Sequence, residues 1–216
     1  MTAGAARAHD AGRTRSDILA VATRVFARQG FNGARVDEIA ARTRTTKRMI
    51  YYYFGDKRGL YVAVLEQAYT ELRTAQRGVD VAHLPPVEAV RALAERTFDH
   101  DDTHRDLIRL VVGENVHDAA HIRGSDALAR LGDPALHVIS RILADGRASG
   151  DFATEADAVD VHMLIGAFCF FRIANQHSFA ALFGRDMTAP DHRARLRRMA
   201  GDMVVAYLRG GGAAAR

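Results

Sequence analysis

Residues 30–60 read GFNGARVDEIAARTRTTKRMIYYYFGDKRGL, and their reading decides the fold. Val36, Ile39 and Ala40 recur at helical spacing, which predicts a short helix over residues 36–42. A polar turn follows, and from Thr46 to Phe54 a second short helix turns Ile50, Tyr53 and Phe54 toward the first. Its start carries Thr-Thr-Lys-Arg and its body Tyr-Tyr-Tyr-Phe. Hydroxyl and basic groups at the head of a short helix, with aromatics behind them, suit a helix laid across a DNA groove.

Outward from this segment the pattern stays helical. Thr14 with Asp17 three residues on forms a capping pair before Ile18, Val21, Ala22, Val25 and Phe26, and Gly30 supplies a stop. Residues 1–13 have the composition of a flexible N-terminal arm. Asp56 is placed to cap a long helix whose apolar face is Leu60, Tyr61, Val64, Leu65, Ala68 and Leu72, running to about Arg73. Further helices are expected from Pro86, from His104 to about His121, from Pro134 to Gly150, over residues 156–183, and from Pro190 to the end. The expectation is an all-α chain of about nine helices. A helix-turn-helix module over residues 14–60, with the motif at 36–54, precedes a larger helical domain over 61–209 and a flexible tail at 210–216.

Composition agrees with two globular modules. The chain has 216 residues, 48% of them hydrophobic and 26% charged, enough to bury a sizeable core. Its single cysteine, Cys169, excludes an internal disulfide framework and four-cysteine zinc sites, and reads as a small core residue. With no signal peptide in the first residues and no apolar run near the ~20 residues of a spanning helix, a cytoplasmic protein without membrane contact is expected. Charge is uneven: 12 Lys and Arg against 5 Asp and Glu up to Leu60, then 18 against 21. A basic module on a mildly acidic body points one end at a polyanion.

The chemistry of that end is specific. Thr46 caps the second helix of the motif, whose free N–H groups attract phosphate. Lys47 and Arg48 reach guanine edges or phosphate, Met49 a thymine methyl, and Tyr51, Tyr52 and Lys57 the DNA backbone. In the larger domain, polar groups on apolar faces are candidate ligand contacts: Glu114, Asn115 and His117, and Arg172 and Asn175 near the end of a long apolar helix. Phe98, Met163 and Phe168 are candidate lining. Glu114, His117 and His121 fall on one helical stripe, which suits solvent-facing polarity or an internal hydrogen-bonded cluster or, less simply, a metal or cationic ligand. His177, beside Asn175, is read the same way as that residue, as an orienting group or as interface polarity. Gly-rich phosphate loops, a nucleophile elbow and the H-E-x-x-H pattern are absent, so no catalytic residue, metal or cofactor is expected.

Several spaced motifs now occur in order. Residues 18–66 contain F-A-x-x-G-F, V-x-x-I-A, T-K-x-x-x-Y-Y-Y-F and D-K-x-x-L, and together they resemble the N-terminal domain of TetR-type transcriptional regulators. The phrases GENVHDAAHI and FFRIANQHSFAALFGRD are similar to one subgroup of the family's C-terminal domains. The resemblance implies a repressor that binds a palindromic double-stranded operator as a homodimer and is released by a small-molecule effector. It also implies dimerisation through the last two helices, here about 156–183 and 191–209. Four positions depart from the family pattern. Ala34 and Arg35 replace hydroxyl residues, Arg44 stands where the turn normally has glycine, and Thr45 replaces an apolar residue. Arg35, Arg44 and Thr45 therefore join the candidate DNA contacts, and Arg35 is expected to raise salt sensitivity. The alternative class is a helical ligand-binding dimer, or a small-molecule hydrolase, without DNA regulation.

Overall fold

A computed structural model describes residues 3–77, 81, 83–130 and 134–210. Among them are eleven helices and no strand: α1 (Ala3–Gly33), α2 (Val36–Arg42), α3 (Lys47–Phe54), α4 (Lys57–Arg77), α5 (Pro86–Thr103), α6 (Arg105–Val116), α7 (Asp126–Arg130), α8 (Pro134–Ala148), α9 (Ala158–Ala174), α10 (Gln176–Phe183) and α11 (Pro190–Gly210). The all-α class holds, with two more helices than expected.

The chain folds as two compact units. One joins the residues up to Glu71 with 109–131, and the other joins 72–108 with the residues from 132 onward. This division differs from the sequence-based boundary at residue 60, because the second half of α6 and α7 belong with the N-terminal helices. In the N-terminal unit α1 buries Ile18, Leu19, Ala22, Val25 and Phe26, α2 buries Val36, Ile39 and Ala40, and α3 buries Ile50 and Phe54. Leu60, Tyr61, Val64 and Leu65 of α4 complete that core. Burial of such side chains contributes about 1.5–3 kcal/mol each, which is what holds the short α2 and α3 against α1 and α4.

In the C-terminal unit α5 packs on α11, α9 and α8. Its core runs through Val90, Leu93, Ala94 and Phe98 of α5, Ile139 and Leu143 of α8, Val161, Ile165 and Cys169 of α9, and Ala200, Val204 and Leu208 of α11. Burial pushes the Cys169 thiol up to about 12, consistent with an inert core residue.

Four expectations change. Helix α1 begins at Ala3, so residues 3–13 are helix rather than arm: Ala3, Ala5, Ala6, Arg7 and Ala8 are strong helix formers. Thr14 and Asp17 therefore lie inside α1 rather than at its start. Helix α6 stops at Val116 instead of His121, since Asp118 and Ala119 take left-handed backbone (φ 56 and 55) and turn the chain. The segment 156–183 is two helices bent by 70° at Asn175, whose side chain bonds the Phe171 carbonyl while Gln176 bonds that of Ile173. Of the tail expected at 210–216, Gly210 is the last residue of α11, and 211–216 lie outside the described residues.

Candidate nucleic-acid interface

Helices α2 and α3 meet through residues 43–46. Thr43 closes α2 by donating its hydroxyl to the Ile39 carbonyl at 2.8 Å, and the Thr45 amide bonds the Ala40 carbonyl at 3.1 Å. Arg44 takes the place of the expected glycine at φ 53, a left-handed conformation that costs an L-residue about 1–2 kcal/mol. Thr46 is extended and its Oγ1 accepts from the Met49 amide at 3.2 Å, the capping geometry read from the sequence. Gly55 ends α3 at φ 79, and the Asp56 carboxylate caps α4 by accepting from the Gly59 amide at 2.7 Å. Residue 59 has to be glycine, because a Cβ there would stand 2.0 Å from the Phe54 carbonyl oxygen. The α3–α4 corner is thereby fixed at the backbone level.

With Ile50 and Phe54 buried, the opposite face of α3 is left outward. Lys47, Arg48, Met49, Tyr51 and Tyr52 are exposed, Tyr52 at 78%. Arg35, Arg44 and Thr46 are exposed beside them, and Thr45 is half-buried. Arg35, Arg44 and Arg48 have no ion-pair partner among the described residues. Lys57 is held differently: its ammonium donates to the Asn32 carbonyl at 3.2 Å and lies 4.9 Å over the Phe31 ring. All ten sequence-derived DNA candidates thus belong to the N-terminal unit; eight of them lie on α3 or on the turn that precedes it, and Arg35 and Lys57 stand at the starts of α2 and α4.

Two features of the interface escaped the sequence reading. Lys47 is paired with Asp37 of α2 at 3.1 Å, and that hydrogen bond raises the Lys47 ammonium above its ordinary value. Arg15 of α1 stacks 5.2 Å over the Phe54 ring. Behind the interface, Glu114 is 2% exposed and accepts from His121 Nδ1 at 2.9 Å and from the His121 and Ile122 amides at 3.2 and 3.3 Å. Tyr61 also donates to Glu114, and burial together with that carboxylate pushes its phenol above the ordinary value. Phe31 covers the cluster, 4.5 Å from the His121 ring and 5.1 Å from Tyr61. Of the readings given to the Glu114 stripe, the hydrogen-bonded cluster holds for Glu114 and His121, whereas His117 is exposed to solvent. Among the described residues no group of three His, Cys, Asp or Glu side chains has metal-binding geometry.

The ligand candidates do not form one group. Glu114, Asn115 and His117 belong to the N-terminal unit, where Asn115 bonds the Val111 carbonyl and His117 Nδ1 lies 2.9 Å from the Gly113 carbonyl. Phe98, Met163, Phe168, Arg172 and Asn175 belong to the C-terminal unit. There Arg172, 2% exposed, stacks 3.7 Å over Phe98, donates to Asp102 at 2.9 Å and leaves its Nε–H without a partner among the described residues. Arg193 and Arg197 of α11 extend the network to Asp99, Asp102 and Glu95 of α5. Burial works against ionisation of Asp102, yet Arg172 and Arg193 hold its carboxyl below the ordinary value. Phe168 packs at the edge of the core, whereas Met163 faces outward at 64% exposure.

Known proteins carry the same plan. Residues 18–64 match the family of bacterial regulatory proteins of the tetR type, and residues 86–204 match the tetracyclin repressor-like C-terminal domain. The chain belongs to the TetR family of transcriptional regulators. It is 30% identical to the transcriptional repressor NicS of Pseudomonas putida over 203 residues, covering 94% of this chain and 96% of that one. It is also 30% identical to the repressor SCO4008 of Streptomyces coelicolor, covering 74% and 78%. Among solved structures, the regulator SCO4942 of Streptomyces coelicolor superposes with a TM-score of 0.63 at 29% identity, over 88% of this chain and 97% of that one. A tetR-family protein from Rhodococcus RHA1 shares the fold with a TM-score of 0.69 at 18% identity, over 91% and 97%. The helix-turn-helix of this family member is α2–α3, and the protein is a DNA-binding transcriptional regulator.

Proposed function

We propose that the protein is a cytoplasmic, non-enzymatic repressor that binds an inverted-repeat operator as a homodimer and leaves it when a small molecule occupies the C-terminal unit. The observation that carries this reading is the outer face of α3: a capped N-terminus, two cations and two tyrosines exposed on a helix whose other face is locked into a core. Arg48, with its planar fork, suits guanine; Lys47 and Arg35 suit phosphate; Tyr51 and Tyr52 suit backbone oxygens.

Support for the dimer comes from α9, α10 and α11. They bury one side, yet Val159, Met163, Phe171, Leu182, Phe183, Met199, Met203 and Tyr207 remain exposed. Apolar exposure of that extent on consecutive helices suits pairing with a second copy. Two heads related by a two-fold axis then present α3 to half-sites ~34–36 Å apart. Effector contacts are proposed for Phe98, Phe168 and Arg172, since Arg172 keeps one buried donor unused; Met163 is assigned to the dimer face instead. No residue is given a catalytic role.

The test is the Lys47→Ala, Arg48→Ala double variant. It should keep its melting temperature and dimeric state while its affinity for an operator duplex, measured by fluorescence anisotropy, falls by about 100-fold or more. Undiminished affinity would remove α3 from the DNA contact.

A further inference from the structure

Helix α2 sets an acid among the cations of the reading face. Asp37 lies in the first turn of α2, and its Oδ2 stands 3.1 Å from Nζ of Lys47, the first residue of α3. The neighbouring acid is otherwise engaged: Glu38 pairs with Arg42 at 2.7 Å and accepts from Gln29 Nε2 at 2.9 Å. Both members of the Asp37–Lys47 pair stay wet, with side chains 72% and 46% exposed, so the pair adds little to folding. A carboxylate beside a phosphate-facing helix also repels DNA. Neither stability nor affinity accounts for its place there.

We infer that Asp37 is a specificity-determining residue: it masks Lys47 from duplexes of arbitrary sequence and aims it when α3 is seated in its own site. This rests on the reading of α3 as the DNA-contacting helix. Loose binding is driven by cations that displace counterions, and a cation neutralised by an adjacent carboxylate contributes less to it. In a seated complex the situation reverses. An ammonium has three N–H donors, so one bond to Asp37 leaves two for a phosphate or base acceptor. Its rotamer is already restricted, so less freedom is lost on contact. The hydrogen bond to Asp37 also raises the Lys47 ammonium above its ordinary value. Specificity is a difference between two affinities, and this pair lowers the unwanted one while sparing the wanted one. Arg35 and Arg44, without an acid partner among the described residues, add unmasked charge that attracts every duplex alike.

The experiment compares the wild type, Asp37→Asn and the charge-matched Glu38→Gln. Each is titrated, over a series of salt concentrations, against a duplex selected by the wild type from a random pool and against the unselected pool. Asp37→Asn should tighten the pool by about threefold to tenfold, with a steeper salt slope, and leave the selected duplex within about twofold. Discrimination therefore falls. Glu38→Gln should move both duplexes by one common factor, and Asp37→Asn should have no effect on discrimination once Lys47→Met has removed the cation. Equal shifts of both duplexes by Asp37→Asn, or no shift of either, overturn the inference. If the wild type enriches no sequence at all, the reading of α3 falls and takes this inference with it, a result distinct from equal shifts.

Discussion

Arginine does opposite work in the two units of this protein. In the C-terminal unit Arg172, Arg193 and Arg197 are folded against Asp102, Asp99 and Glu95, three acids that rise along one face of α5. In the N-terminal unit Arg35, Arg44 and Arg48 face solvent around the start of α3, and Lys47 is matched only by the exposed Asp37. The side chains are alike; the neighbours differ. A cation surrounded by carboxylates and low dielectric becomes part of the fold, and removing its partner is costly. A cation on a wet surface contributes almost nothing to folding and is available to a polyanion.

The sharpest way to break this contrast is Asp102→Asn. It leaves the buried Arg172 charge without its main partner, and the expected loss is about 3–5 kcal/mol in thermal or denaturant unfolding. The same carboxyl has a folded value below its ordinary one near 3.8. Its contribution is therefore present above that ordinary value and lost as pH falls through the lowered one. A wild-type melt that weakens over this acid range more than an Asp102→Asn melt does would follow; parallel curves would place the proton uptake elsewhere. No comparable loss is expected from Arg48→Ala, whose effect should appear in DNA binding alone.

Second in size is Met163→Glu on the exposed side of α9. The substitution meets solvent in a lone subunit, so the fold should persist, while self-association weakens by about 100-fold or more in analytical ultracentrifugation. A variant that dimerises like the wild type would move the interface off α9.

The smallest effect separates fold from contact at a single residue. Arg44 occupies left-handed backbone that glycine adopts freely. Arg44→Gly should therefore raise stability by about 1 kcal/mol while weakening DNA binding. A gain in both would show that the Arg44 side chain touches no DNA.

The reading head was legible because its signals are local. The span of α2, the Thr46 cap, the Asp56 cap and the inward set Ile50, Tyr53 and Phe54 follow from spacing within about 20 residues, and the structure reproduces each except that Tyr53 is only half-buried. What was missed depends on residues far apart in the chain. Asp99 meets Arg197 across 98 positions, and Ser125 donates to Glu66 across 59 at 2.7 Å, so no periodicity announces either. The same holds for Phe31, which closes over Tyr61 and His121 only because the 117–124 turn folds back beneath Glu114. Local rules also erred where composition was ambiguous. Small residues near the N-terminus suit an arm or a helix, and here Ala3 to Gly12 extend α1. An apolar run does not reveal a bend, and the 70° break at Asn175 depends on side-chain bonds to carbonyls rather than on hydropathy.

Selection of duplexes from a random pool by the wild-type protein, at about 0.15 M salt, addresses the two-headed arrangement most directly. The account predicts enrichment of one inverted repeat, with half-sites about one helical turn apart and two subunits bound per duplex. Enrichment of a single unpaired half-site by a lone subunit, or of no sequence, would contradict it.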